Sequence, residues 1–305
     1  MTDAADVGFK VANFKRDNVA KLEKNWERIK LALRLGVRLL AGIGFSERTL
    51  SANNVLIPVA DYLYQRKPDD AYLTQAAHKD DRAAIRSWVI RSLMKRGVWG
   101  GSSDTLLSRL RTALRANPPD VFPVDAIEQA MVVIGKSLRF EPEEVEDLAE
   151  TSYGSRAFAI LSLLYAGSNV QQTTYHVDHI FPRSRFTRPR LLKAGVSDAE
   201  VDEFMEWSNL LPNLQLLPDA ANTQKQAVLP LEWWSSAEPD EQARDALFAA
   251  HHMHDLPANI TDFAGFYLAR RNRMVQRLRD VLGVQATAEQ VQPATAERGA
   301  AGAGA

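Results

Sequence analysis

The stretch YHVDHIFPRSRF, Tyr175 to Phe186, breaks the pattern of the chain before it. Together with the preceding threonines it is short and rich in Thr, Tyr and Val, which favours a strand. It holds two histidines and an aspartate within four positions, followed by a proline and a run of arginines. On a strand, His176 and Asp178 share one face and His179 takes the other. A hydrogen-bonded strand end accounts for an Asp-His pair as well as chemistry does, so the surrounding chain has to decide.

Downstream, PNLQLLP (Pro212 to Pro218) alternates between prolines and reads as a second short strand. DAANTQKQ (Asp219 to Gln226) opens on an N-cap aspartate and reads as a short helix. The order across 174–227 is therefore strand, long loop, strand, helix.

Upstream the signal is helical. Leu22, Trp26, Ile29, Leu33, Val37 and Leu40 recur at helical steps and predict one buried face. Ile85, Trp88, Val89 and Leu93 predict another, with Gly97 as a left-handed cap. Leu106, Leu107, Leu110 and Leu114 follow the N-cap residues of GGSSD. Ile127, Ala130, Met131, Ile134 and Leu138 form a further stripe, and RAFAILSLLYAG (Arg156 to Gly167) is apolar nearly all round, as a central helix would be. A last helix carries Phe263, Phe266, Tyr267, Met274, Leu278, Val281 and Leu282 and stops at Gly283. The expected fold is mainly α with a small α+β insert. Its parts are a helical domain over 1–170, the strand-containing module over 171–235, C-terminal helices over 236–284 packing on the helical domain, and a disordered tail over 285–305.

Composition narrows the classes. Lys and Arg number 37 against 38 Asp and Glu, so any nucleic-acid surface is a local patch. With no cysteine there are no disulfides, thiolate metal sites or cysteine nucleophile. No apolar run approaches the ~20 residues of a membrane span. The N-terminus lacks the order of a signal peptide, so a cytoplasmic location is expected.

Asp178 offers hard oxygens suited to magnesium or manganese, and His179 beside it can take a proton from water near neutral pH. A metal ligand adjacent to a base is what phosphodiester hydrolysis needs. DHIFP, then NLQLL, then NTQK resembles the HNH, or ββα-metal, nuclease motif. That resemblance implies a metal-dependent endonuclease or nickase holding one divalent ion, Mg2+ or Mn2+. It implies Asp178 and Asn222 as metal ligands, His179 as general base and Asn213 as the residue that holds the imidazole. Asn213 and Asn222 are nine apart, as in the HNH domain of RNA-guided CRISPR nucleases. Lys225 lies three beyond Asn222, as a lysine also does there, and on one helix face with it, from where it could reach a phosphate. His176 is given a supporting role.

A broader stretch, HVDHIFP…NLQLL…NTQK…LPLEWW with the helical region upstream, resembles the C-terminal part of GmrSD-type modification-dependent restriction enzymes and related phage-defence proteins. Foreign or modified DNA is the substrate this implies. The Asp-Gly-Gln-Gln-Arg string of their nucleotide-hydrolysing domain is absent, as is a Walker loop. A nucleotide-hydrolysing sensor domain or subunit outside this chain is thus an expected partner. The alternatives are a catalytically silent DNA-binding or interaction subunit, and an RNA-cleaving nuclease of the same motif.

Arg183, Arg185, Arg188, Arg190 and Lys193 occupy the loop between the two strands with no acid before Asp198, and are candidate DNA-backbone contacts. Arg270, Arg271, Arg273, Arg277 and Arg279 on the last helix read as a charged face that pairs with acids or meets solvent. HHMHD (His251 to Asp255) reads as a solvated turn, because nothing near it supplies further metal ligands. Trp233 and Trp234 read as packing.

Overall fold

The computed structural model describes residues 14–101, 103–117, 120–165 and 175–285. The start of the strand region, 171–174, and the tail beyond 285 lie outside the described residues. The described residues are mainly helical, with one two-stranded antiparallel sheet. No helix among the described residues is long and apolar enough to cross a membrane.

Among the described residues eight α-helices precede the sheet: α1 (Arg16–Lys24), α2 (Trp26–Gly42), α3 (Leu56–Arg66), α4 (Lys79–Met94), α5 (Ser103–Ala116), α6 (Val124–Val132), α7 (Pro142–Ala149) and α8 (Ser155–Leu164). In α2 the buried face is Ile29, Ala32, Leu35, Leu39 and Leu40, while Trp26 and Val37 are 51% and 52% exposed. The expected stripe was rotated, because α2 is apolar over much of its circumference and spacing alone leaves two faces in competition. Gly36 decides between them: a Cβ there would lie 2.9 Å from Leu56 Cδ1, so α3 seats where the side chain is missing.

Ile85, Trp88, Val89 and Leu93 are buried on α4 as expected, but the helix ends at Met94 in an extended Lys95. Gly97, at φ +80°, serves the following turn instead of capping the helix. The α5 leucines are buried and α8 is buried from Ala157 to Leu164. Helix α6 stops at Val132, leaving Ile134 and Leu138 beyond it.

Strand β1 (Tyr175–His179) pairs with β2 (Leu214–Pro218), His176 opposite Leu217 and Asp178 opposite Gln215. Helix α11 (Asp219–Lys225) follows β2 directly and packs on both strands. The long loop expected between the strands contains helices: a 3-10 turn at Arg183–Arg185, α9 (Arg188–Ala194) and α10 (Val201–Trp207). Seven-residue helices carry too few turns for a periodic stripe. The punctuation of α9 is nevertheless in the sequence, with Pro189 in its first turn and Gly195 at φ +97° after it.

Three further α-helices follow among the described residues: α12 (Pro230–Ala237), α13 (Glu241–Ala250) and α14 (Phe263–Leu282), the last capped by left-handed Gly283. The described residues form two apolar cores. The first joins the N-terminal helices to Val177, Leu214 and Leu216, and to Met274, Val275 and Leu278 of α14. The second gathers Ile180, Phe181, Leu217, Trp233 and Trp234 with Phe248, Phe263, Phe266 and Tyr267. Helix α14 therefore runs through both cores, and the sheet lies at their seam. The helices after 236 divide between the two cores.

Candidate active site

The alternation of β1 sends Asp178 and His179 to different neighbours. Asp178 Oδ2 accepts from Gln215 Nε2 at 3.1 Å, across the strand pair, and lies 2.8 Å from Lys225 Nζ on α11. The same ammonium donates to the His179 carbonyl. Lys225 is buried, so the expectation that it reaches out to a phosphate is corrected: its charge is spent inside the module on Asp178. Burial pushes the Lys225 ammonium below its ordinary pKa, against the pull of Asp178. His176, on the Asp178 face, places Nε2 3.2 Å from Asp219 Oδ1 in the first turn of α11.

His179 turns the other way and is gripped by two residues that the sequence did not single out. Its ring stacks on Tyr153, centroids 5.1 Å apart and planes 6° from parallel. Its Nε2 lies 3.0 Å from Asn209 Oδ1. An acceptor oxygen there requires the hydrogen on Nε2, which leaves the lone pair on Nδ1. The two gripping residues are tied together, since Tyr153 N donates to Asn209 O and Ser152 bridges to Leu210. Burial lowers the His179 pKa. The Asn209 hydrogen bond and the Asp178 charge oppose that shift, while Lys225 and Arg183 add to it.

Asn213 does not hold the imidazole. Fully buried, it accepts from Phe181 N at 2.9 Å and donates to Phe181 O and Ser208 O at 3.0 and 2.7 Å. It clamps the chain leaving β1 to the chain entering β2. Arg270 supports the same junction from α14. It is wholly buried and donates to Pro212 O at 2.6 Å, Leu214 O at 2.8 Å and the Tyr165 hydroxyl at 2.8 Å, with His251 O at 3.2 Å. An arginine expected on a charged surface is thus a core brace, whereas Arg271 and Arg279 do pair with Glu146. The HHMHD turn is also less solvated than expected. His251 stacks on Tyr165 at 4.3 Å, its Nδ1 is buried without a partner, and burial holds its pKa down at about 4. Trp233 and Trp234 are buried packing residues.

The donors for a metal ion are few. Among the described residues no three His, Asp or Glu side chains come together to hold one. Among the described residues, Asp178 Oδ1 and the Asn222 amide have no hydrogen-bond partner, and Asn222 sits one turn before Lys225 on α11. Nearby, the buried Gln215 Oε1 has no hydrogen-bond partner. One carboxylate and one amide oxygen, the rest water, suit a loosely held magnesium-like ion. That oxygen donor set fits such a hard ion.

All five cations between the strands are exposed. Arg185, Arg190 and Lys193 line one cleft of about 480 Å³ with Leu229 and Asn259. Arg188 is withdrawn from that set by ion pairs to Asp198 and Asp202, acids brought back by α9 and α10. Arg183 stands close enough to His179 for its charge to register there. Comparison with models of known protein families and with curated proteins finds no match for this chain.

Proposed function

We propose that the β1-β2-α11 unit is an HNH-type, ββα-metal nuclease module that hydrolyses phosphodiester bonds in DNA, as part of a restriction or anti-phage system. One observation carries this: adjacent Asp178 and His179 end a strand whose partner strand and following helix supply Gln215 and Lys225 to the carboxylate, with Asn222 one turn before Lys225 on that helix. His179 would draw a proton from water through Nδ1, held in place by Asn209 and Tyr153. Asp178 and Asn222 would hold Mg2+ or Mn2+, which when bound offsets charge on the phosphate and the leaving oxygen. Arg183 and the Arg185–Arg190–Lys193 cleft would bind the backbone on either side, fixing the strand without reading its bases. A nucleotide-hydrolysing partner and a modified or foreign target belong to the same proposal.

The test is nicking of supercoiled plasmid by the purified chain with Mg2+, Mn2+ or EDTA, alongside a labelled transcript. Loss of a general base costs ~100- to 10,000-fold, so His179→Ala should bind DNA and fail to nick it. Cutting that EDTA leaves intact, or full activity of His179→Ala, would overturn the mechanism. Cleavage confined to the transcript would move the substrate to RNA. A silent binding module is the second reading, favoured by the Lys225 ammonium already seated on Asp178. Plasmid binding without metal-dependent cutting would select it.

A further inference from the structure

A second basic site lies in the helical region, where nothing in the sequence marked one. The C-terminal half of α2, the turn at 70–78 and the first two turns of α4 enclose a cleft of about 560 Å³. Four cations line it, Arg38, Lys79, Arg82 and Arg86, and no acid does. Arg38 is engaged by Asp70 at the rim, 2.8 Å away. Arg82 is held by the carbonyls of Tyr72 and Gln75 at 2.6 and 2.8 Å, so its guanidinium is positioned without its charge being cancelled. Arg86 is partly buried, and among the described residues its one hydrogen bond is a 3.3 Å contact to Ser162 O. Burial pushes its pKa down, and among the described residues no acid forms an ion pair with it. Lys79 is exposed at the mouth, at the N-terminal, electropositive end of α4.

Holding like charges together in a concavity is unfavourable unless an anion compensates them. Arginine forks and a helix N-terminus are the groups that match phosphate oxygens. Leu39 and Leu73 give the cleft an apolar wall, and its volume falls within the ~300–1,000 Å³ of small-molecule sites. The partly buried Arg86 side chain favours a compact ligand over a duplex backbone. We propose that this cleft binds a small phosphate-bearing ligand through Lys79, Arg82 and Arg86. It does so without the nuclease module and does not depend on the function proposed above.

Isothermal titration of the full chain with pyrophosphate, ATP and a short DNA duplex tests this. Pyrophosphate or ATP should bind at one site per chain. Arg86→Gln and Lys79→Gln should each weaken it about tenfold or more, the worth of one charged hydrogen bond. Lys79→Gln alters an exposed side chain and keeps the test decisive if Arg86→Gln fails to fold. Absence of binding by both small ligands, equal affinity in wild type and Lys79→Gln, or binding of the duplex alone would each overturn the proposal.

Discussion

Replacing Lys225 with methionine separates what this residue does for the fold from what it does for the carboxylate beside it. Methionine keeps the apolar stem and removes the ammonium. The lysine side chain is 1% exposed, and Asp178, 2.8 Å from its Nζ, is 18% exposed. After the change Asp178 retains one hydrogen bond, from Gln215. Removing one partner of a buried pair costs about 3–5 kcal/mol, and the residual access of Asp178 to water sets the low end, about 3 kcal/mol. For a chain of this size that lowers Tm by roughly 5 °C. Adding Asp178→Asn removes the uncompensated charge and should return more than half of the loss.

The same variant reports on the metal. With the ammonium gone, a divalent ion becomes the available counter-charge for Asp178. If its Kd is about 1 mM, then 10 mM Mn2+ stabilises Lys225→Met by about 1.4 kcal/mol. Wild type should gain less, because Lys225 already holds Oδ2. Urea denaturation of the single and double variants, with and without Mn2+, reads all of these. A Lys225→Met protein within about 1 kcal/mol of wild type would refute the reasoning. So would a double variant less stable than the single one.

Arg270→Met should destabilise by at least about 3 kcal/mol, since it strands several buried acceptors at once; an unchanged urea midpoint would show that they find other donors. Stability should also fall on acidification. His251 stays neutral in the fold down to about 4, below its unfolded value of ~6.5, so the unfolded chain takes the proton first. Its contribution is whole above ~6.5 and is lost as pH drops toward 4. His251→Phe, which keeps the stack on Tyr165, should lose less stability than wild type between pH 7 and 4.5, and equal losses would contradict this. Asn209→Ala should cost about 1 kcal/mol of stability yet slow nicking about tenfold without weakening DNA binding, because it frees the imidazole to rotate. Wild-type turnover in that variant would remove Asn209 from the mechanism.

The elements of the candidate site were legible because strands and caps are local. Tyr175–His179 and Leu214–Pro218 follow from β-branched and aromatic content and bounding prolines. The helix after them was expected from an Asp219 N-cap; it begins at Asp219 itself, with Pro218 in the cap position and no side-chain cap bond. Alternation also separated the Asp178 and His179 faces correctly. The helices between the strands were not legible, since seven residues make barely two turns. The face of α2 was missed for the opposite reason: too many apolar positions, with the choice made by a glycine that has no side chain to count.

Which amide meets the imidazole is a different kind of question, and local pattern could not answer it. Asn209 and Asn213 sit one turn apart in the same short segment, and both are suited to hold a ring nitrogen. What separates them is the backbone pairing of Ser152 with Leu210, between chain segments joined only by the fold. It lays Tyr153 over His179 and turns the Asn209 amide toward Nε2. Asn213, one turn on, points back into the junction that Arg270 braces and satisfies Phe181 instead. A buried amide needs its donors and acceptors met wherever they are. For Asn213 they are met by backbone, so its chemistry is spent before it can reach His179.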